Sequence, residues 1–206
     1  MYINNPMEIE EKSMEIIQNS FKNVDFTDQE LTVAKRIIHT TGDVSYSEII
    51  KFQNDFIKNS LEALKSGGKI YTDTNMTKAG INKKSLEKLG LEVVCYVSDE
   101  DVFELAKKNN TTRSQAAIEK AINEGIKIFS VGNAPTALFK LLEEVDKDKV
   151  DPDFIIGVPV GFVGAAESKE ELRKYSIPQI TTVGNKGGSN VAASIINSLM
   201  YMLVKR

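Results

Sequence analysis

His39 is the single histidine of the 206-residue chain and the first candidate for proton transfer. Histidine is the side chain whose unperturbed pKa lies closest to neutrality, so it donates or accepts protons without large environmental tuning. It ends a helical pattern and precedes Thr40-Thr41-Gly42-Asp43, which is typical of a helix terminus followed by a tight turn. Backbone groups and hydroxyls left open at such a terminus suit a small-molecule site. Taken alone, the stretch also fits a histidine with no catalytic role.

Three glycine-rich segments could bind an anion, because each follows a predicted strand and precedes a predicted helix. They are 132–136, 161–169 and 184–190. Glycines at such positions let backbone N–H groups approach an anion closely, and Lys186 adds a full charge to the third segment. Ordinary turn chemistry explains any one of them. None matches a P-loop or a dinucleotide fingerprint, which favours a polycarboxylate over a nucleotide as the ligand.

Other polar residues have two interpretations each. Arg113, followed by Ser114 at a predicted helix start, is either an exposed helix-end arginine or a bidentate clamp for a carboxylate. Asp43 and Asp73 could cap turns or orient a base, and Glu167 could cap a helix. Periodicity alone assigns no role to Ser13.

Composition excludes several classes of function. Lys and Arg total 26 against 29 Asp and Glu, so no overall basic charge attracts nucleic acid. One cysteine, Cys95, excludes a disulfide framework within the chain, and with a single histidine it argues against a His/Cys metal site. Residues 1–6 lack a signal-peptide pattern, and no apolar stretch reaches membrane-spanning length. We therefore expect a cytoplasmic protein without a membrane anchor.

The hydrophobic pattern changes after the first third of the chain. The first part predicts helices only, including one that opens with the capping box Thr27–Glu30 and a long one that opens at Ser45. Strands and helices alternate after Gly67-Gly68. The predicted helices span 7–19, 28–39, 45–64, 83–89, 99–109, 114–124, 135–145, 165–175 and 189–204, and the predicted strands span 69–72, 91–97, 126–131, 154–160 and 179–183.

This alternation predicts an α/β fold, namely a three-layer α/β/α arrangement with a mainly parallel five-stranded sheet and an N-terminal helical segment. Several strands are continuous apolar runs, as in strands buried on both faces. No linker or internal repeat divides the sequence, so we expect one domain over 1–206. Ligands of open α/β sheets bind beyond the carboxyl ends of the strands, where the glycine-rich segments lie.

Segments along nearly the whole chain, in the same order, resemble the precorrin-8X methylmutase family of cobalamin biosynthesis. They are 38–43, 72–73 with Met76 and 79–81, 112–114, 132–138, 156–169, and Gly184 with 186–190. The resemblance implies an isomerase that moves a methyl group from C11 to C12 of precorrin-8X or its cobalt form, giving hydrogenobyrinate or cobyrinate. It also implies a homodimer with sites near the subunit interface, and no added redox, nucleotide or metal cofactor.

The resemblance assigns His39 as the general acid that protonates the macrocycle. Such a methyl shift needs a held geometry and a proton donor rather than a nucleophile. The substrate is a tetrapyrrole polycarboxylate, and the residues expected to bind it are Ser13, Thr40, Arg113, Ser114, Asn133, Lys186 and Gly187. The Lys-, Asn- and Ile-rich composition resembles that of proteins from AT-rich anaerobes. It therefore favours the anaerobic branch of the pathway, in which the substrate contains cobalt. A non-enzymatic tetrapyrrole carrier and another α/β enzyme acting on an anionic metabolite are the alternatives.

Overall fold

The computed structural model describes residues 4–21 and 24–205, in which it forms six strands and eleven helices. The strands are β1 (Ile50–Gln53), β2 (Gly68–Thr72), β3 (Leu91–Val94), β4 (Ile128–Val131), β5 (Phe154–Gly157) and β6 (Gln179–Thr182). The helices are α1 (Pro6–Ser20), α2 (Asp28–Thr41), α3 (Tyr46–Ile49), α4 (Phe56–Lys65), α5 (Asn75–Gly80), α6 (Lys83–Leu89), α7 (Glu100–Asn109), α8 (Arg113–Asn123), α9 (Pro135–Asp146), α10 (Ala165–Leu172) and α11 (Ser189–Leu203). Residues 1–3, part of the stretch considered for a signal peptide, lie outside the described residues.

The strands form one sheet in the order β1-β6-β5-β4-β2-β3. All neighbouring strands are parallel except β1, which pairs antiparallel with β6 at the edge. The predicted α/β class with a mainly parallel sheet is therefore confirmed, but the sheet has six strands instead of five. The carboxyl ends of β2 to β6 lie along one edge, where the loops of the site begin.

The extra strand lies inside the segment predicted as one long helix over 45–64, and that prediction is wrong. The chain forms α3, then β1, then α4. Asn54 and Asp55 between β1 and α4 adopt left-handed φ values of 57° and 52°. The Asn54 amide donates to the carbonyl oxygens of Tyr175 and Ile177, at 3.0 and 2.9 Å. Pairing with β6 and this amide anchor outweigh the local helical pattern.

Two hydrophobic clusters enclose the sheet. One includes buried residues of α2, α4 and α11, and the other includes buried residues of α7, α8, α9 and α10. In α2 the buried positions are Val33, Ala34, Ile37 and Ile38, which repeat at helical spacing and belong to the first cluster, where α2 packs against α11. Among the described residues, no helix is both long and apolar enough to cross a membrane.

Candidate active site

The end of α2 holds His39 at the surface. Thr27 and Glu30 form the predicted capping box at the start of this helix. Gly42 ends the helix in the left-handed conformation (φ 65°), and its N–H donates to the Ile38 carbonyl oxygen at 2.8 Å. Ile37 and Ile38 are buried, so the helical period turns His39 outwards. Within the part of the chain that the structure describes, the imidazole forms no hydrogen bond and is available to a ligand.

His39 lines a cavity of about 350 Å³ between α2 and α11. Gly80 closes one side and is held by Asn197, whose amide donates to the Gly80 carbonyl oxygen at 2.9 Å and accepts from the Asn82 N–H at 2.8 Å. The described residues that line the cavity are Arg36, His39, Thr40, Gly80, Asn190, Ala193, Ser194, Asn197 and Tyr201. None of them is acidic, so the walls are neutral or cationic.

Lys186 is held beside the turn that follows His39. Its ammonium group forms an ion pair with the Asp43 carboxylate and donates to the Ser45 hydroxyl at 2.7 Å. It also lies 5.8 Å from the centroid of the Tyr46 ring. The hydrogen bond from Lys186, followed by those from Ser45, lowers the pKa of the Asp43 carboxyl to about 2. Asp43 therefore stays ionised and connects the β6–α11 loop to the α2–α3 turn.

Gly187 fills a position that other residues cannot occupy without moving the chain. A Cβ at this position would collide with the carbonyl oxygen of Val158. The neighbouring Gly188 N–H donates to that same oxygen at 2.9 Å, and the Gly161 N–H donates to the Asn185 carbonyl oxygen at 3.1 Å. The glycines thus let the loops after β5 and β6 pack directly against each other.

Lys169 on α10 is fully buried and was not a candidate on sequence grounds. Its ammonium group donates to the carbonyl oxygen of Lys186 at 2.8 Å and to the Thr182 hydroxyl oxygen at 3.1 Å. The Thr182 hydroxyl donates to the same carbonyl oxygen at 2.6 Å. Burial, with a smaller contribution from the Arg173 charge, lowers the pKa of Lys169 to about 8. No local sequence pattern indicates burial of this lysine, because its partners belong to another part of the chain.

Two roles were considered for Asp73, a turn cap and an orienter of a base, and its contacts are those of a cap. The carboxylate is buried and accepts hydrogen bonds from the N–H groups of Gly132, Asn133 and Ala134, at 2.9, 2.8 and 2.7 Å. Burial raises the pKa of Asp73, and the three N–H donors offset part of that increase. The first glycine-rich segment therefore has an internal anion on these three N–H groups.

Several predicted substrate-binding residues do not line the His39 cavity. Arg113 and Ser114 begin α8, in the layer on the opposite side of the sheet, and Asn133 follows β4. Ser13 donates to the Ile9 carbonyl oxygen within α1, and Glu167 is exposed in the first turn of α10. Of the seven predicted substrate-binding residues, only Thr40 lines the cavity together with His39. Lys186 and Gly187 lie close to the adjoining turn.

The loop after β5 exposes a group of apolar side chains. Phe162 and Val163 are 92% and 90% exposed, and Val160 in the same loop is 42% exposed. This loop begins at the carboxyl end of β5, on the edge of the sheet where ligands of such folds bind. Exposed apolar side chains grouped in this way are typical of a surface that binds a ligand or another protein. Within the described residues, no group of three or more His, Cys, Asp or Glu side chains is arranged to hold a metal ion.

Comparison with known proteins gives a consistent result. The family model for precorrin-8X methylmutase matches residues 8–202. The chain is 42% identical to the cobalt-precorrin-8 methylmutase of Priestia megaterium, over 96% of this chain and 88% of that protein. It is 44% identical to the cobalt-precorrin-8 methylmutase of Salmonella typhimurium, over 98% of both. The solved structure of precorrin-8x methyl mutase from Thermus thermophilus superposes with a TM-score of 0.86 at 31% identity, covering 94% of this chain and 96% of the other.

Proposed function

Because this chain belongs to the precorrin-8X methylmutase family, we propose that it moves a methyl group from C11 to C12 of cobalt-precorrin-8, with His39 as the proton donor. Family membership makes it an isomerase of cobalamin biosynthesis. The observation that carries the role of His39 is its position in a cavity whose described lining contains no carboxylate. An anionic substrate that reaches His39 therefore meets no lining carboxylate that would repel it.

The proposed reaction requires the protein to hold the substrate in a fixed geometry and to supply one proton. The carbon–carbon bond to the methyl group breaks at C11 and a new one forms at C12. Because substrate and product are isomers, the proton that His39 delivers is balanced by one that the macrocycle returns. His39 is exposed at the end of a helix whose buried face fixes its position, so the imidazole is held where the macrocycle can reach it.

Cobalt enters this proposal as part of the substrate. Both relatives named above are cobalt-precorrin-8 methylmutases, in agreement with the preference expected from composition. We therefore expect the cobalt form to be converted faster than the metal-free form.

Substrate size supports the proposal of a homodimer with the site near the subunit interface. The His39 cavity, at about 350 Å³, lies at the lower end of the range of roughly 300–1,000 Å³ found for pockets that enclose drug-sized ligands. A tetrapyrrole with its carboxylate side chains exceeds that volume. Further contacts must come from outside the cavity, and the exposed Phe162 and Val163 offer apolar surface at the same edge of the sheet. Arg113, Ser114 and Asn133 are proposed to bind carboxylates of a substrate held by the partner subunit.

The test is an anaerobic absorption time course with cobalt-precorrin-8 and with metal-free precorrin-8X. The wild-type protein is expected to shift the spectrum to that of the rearranged corrin. His39→Ala and His39→Asn should bind substrate and lose about 10²–10⁴-fold in rate, the usual contribution of general acid catalysis. Asn keeps hydrogen-bonding groups but is not a proton donor of comparable acidity, so it separates the two roles.

Other outcomes identify the alternatives. Binding of either compound without rearrangement by the wild-type protein indicates a carrier. Absence of binding indicates an enzyme for a different anionic metabolite. A near wild-type rate in His39→Ala removes His39 from the mechanism and leaves the reaction itself in place.

A further inference from the structure

Lys169 is a buried cation, and among the described residues it forms no ion pair. Its ammonium group donates only to a carbonyl oxygen and a hydroxyl oxygen, at 2.8 and 3.1 Å. Arg173, one turn further along α10, adds the repulsion of a like charge. Buried ammonium groups are normally paired with an anion, because removal from water is costly. A cation kept in such surroundings is typical of a functional site.

The ammonium group of Lys169 binds the peptide between Lys186 and Gly187. Lys169 and the Thr182 hydroxyl both donate to the Lys186 carbonyl oxygen, at 2.8 and 2.6 Å. A trans peptide is planar, and its C=O and N–H groups point to opposite sides. Since the carbonyl group points towards Lys169, the Gly187 N–H points away from α10. Within the part of the chain that the structure describes, this N–H donates to no acceptor.

The backbone that follows this peptide is held from other directions. The Tyr46 hydroxyl donates to the Gly187 carbonyl oxygen at 3.3 Å, and the Gly188 N–H donates to the Val158 carbonyl oxygen at 2.9 Å. The backbone of Gly187 lies so close to that same oxygen that a Cβ would collide with it. Asn190, three residues further on, lines the His39 cavity. A partly exposed N–H donor is thus fixed in direction beside the proposed site.

The charge of Lys169 also strengthens the Gly187 N–H as a donor. A cation bound to a carbonyl oxygen polarises the peptide, so the N–H at its other end becomes more positive. The ammonium itself attracts an anion bound there, and solvent screens this attraction weakly because the lysine is buried. An anion that accepts a hydrogen bond from the Gly187 N–H therefore supplies the countercharge that Lys169 lacks among the described residues.

We propose that Lys169 is a positioning residue of the methylmutase, which directs the Gly187 N–H at a carboxylate of the substrate without touching the substrate itself. This inference rests on the proposed function, in which the substrate is a polycarboxylate. Gly187 is expected to bind substrate on other grounds, and Lys169 determines the direction and strength of that contact from a separate element of the fold.

The test titrates the wild type and three variants at pH 7 with hydrogenobyrinate, the metal-free rearranged product. Lys169→Met removes the charge and both hydrogen bonds, and the dissociation constant should rise about tenfold, because the N–H loses its fixed direction and its polarisation. Lys169→Gln keeps a shorter, neutral donor and should give an intermediate value. Arg173→Met is the control. It removes a cation that contacts the Thr181 hydroxyl instead of the loop, and it should stay within about twofold of wild type.

The amide signal of Gly187 separates positioning from a general loss of structure. In the ¹⁵N-labelled wild type, its proton resonance should move downfield when hydrogenobyrinate binds, and the movement should be much smaller in Lys169→Met. The amide of Gly125, which lies in the turn before β4 at the other edge of the sheet, should not move in either protein. Thermal unfolding checks that each variant is folded. Should Lys169→Met not fold, Thr182→Val removes the second donor to the same carbonyl oxygen and should raise the dissociation constant about threefold.

Three results overturn the proposal. They are a dissociation constant of folded Lys169→Met within twofold of wild type, an equal rise for Arg173→Met, and a Gly187 signal that does not move when the wild type binds hydrogenobyrinate. Turnover of cobalt-precorrin-8 by the wild type is measured separately. Binding through Gly187 without turnover rejects the proposed function and keeps the role of Lys169, whereas turnover with unchanged affinity of the Lys169 variants does the reverse. Absence of any binding overturns both.

Discussion

Lys169 donates a hydrogen bond from the interior of the protein to the backbone carbonyl oxygen of Lys186, at 2.8 Å. The contact connects α10 to the loop that carries the exposed Lys186 ammonium group. Since that ammonium is bound by Asp43, close to the end of α2, a chain of contacts extends from a buried lysine to the turn after His39. These contacts join residues of three separate parts of the fold, namely α10, the β6–α11 loop and the α2–α3 turn.

Lys169 should make the stability of the protein depend on pH in the alkaline range. Its folded-state pKa is about 8 against 10.5 for an ordinary lysine, so between these values the unfolded chain binds more protons than the folded one. Stability due to this residue therefore rises with pH through that window, and it is constant well below pH 8. Relative to Lys169→Met, the wild-type free energy of unfolding should increase by about 2–3 kcal/mol between pH 7 and pH 10.5.

Urea unfolding of both proteins across this range gives the comparison. Parallel pH profiles would show that Lys169 titrates as an exposed lysine does. Lys174→Met, a change at an exposed lysine two residues after the end of α10, is the control and should leave the profile unchanged.

Asp73→Asn should destabilise the fold by about 2–4 kcal/mol. The substitution keeps the size of the side chain but turns an acceptor oxygen into an NH₂ group that faces backbone N–H donors. Chemical denaturation measures the loss. Asp151→Asn, at an exposed position, should change the free energy of unfolding by less than about 0.5 kcal/mol. Equal stability of the Asp73 variant and wild type would contradict the inference that hydrogen bonds to Asp73 stabilise the 132–134 loop.

Lys186→Ala should weaken binding of the rearranged product about tenfold, more at low salt than at high salt, with little effect on stability. The side chains of Lys186 and Asp43 are 50% and 36% exposed, so loss of the pair should cost less than about 1 kcal/mol. Because the pKa of Asp43 is about 2, its carboxylate stays ionised above pH 5, and the effect should not change as the pH is lowered to 5.

Titration by absorption at two ionic strengths checks this expectation. Lys108→Ala, at an exposed lysine near the end of α7, is the control for loss of one positive charge. The role of Lys186 in binding is excluded if both variants have the same affinity.

Co-expression of His39→Ala and Arg113→Ala chains should restore activity that neither variant has alone. If Arg113 binds a substrate held by the partner subunit, one of the two sites in a mixed dimer combines an intact His39 with an intact Arg113. Differently tagged chains allow the mixed dimer to be purified and its turnover measured. A mixed dimer without activity, or a fully active Arg113→Ala homodimer, would rule out this division of the site.

Sequence alone was sufficient for features that depend on neighbours within one helical turn or one strand. The capping box of Thr27 and Glu30 predicted the start of α2, and the helix end at Gly42 placed His39 in its last turn. Alternating helical and strand patterns predicted the α/β class. Motif order along the chain indicated the family that the comparisons show. Each of these depends on residue order and on spacings of a few positions, which a linear pattern contains.

Tertiary structure decided what depends on partners far apart in the chain. Segment 50–53 is a strand because it pairs with 179–182, although its own pattern suits a helix. Lys169 is buried by contacts with Thr182 and Lys186, and Asp73 finds its donors about 60 residues further on, at 132–134. The cavity that contains His39 has no acidic lining residue among those described, and it exists only because α2 and α11 pack against each other. Burial and charge compensation are properties of the packed chain, because they depend on which distant groups exclude water from a side chain.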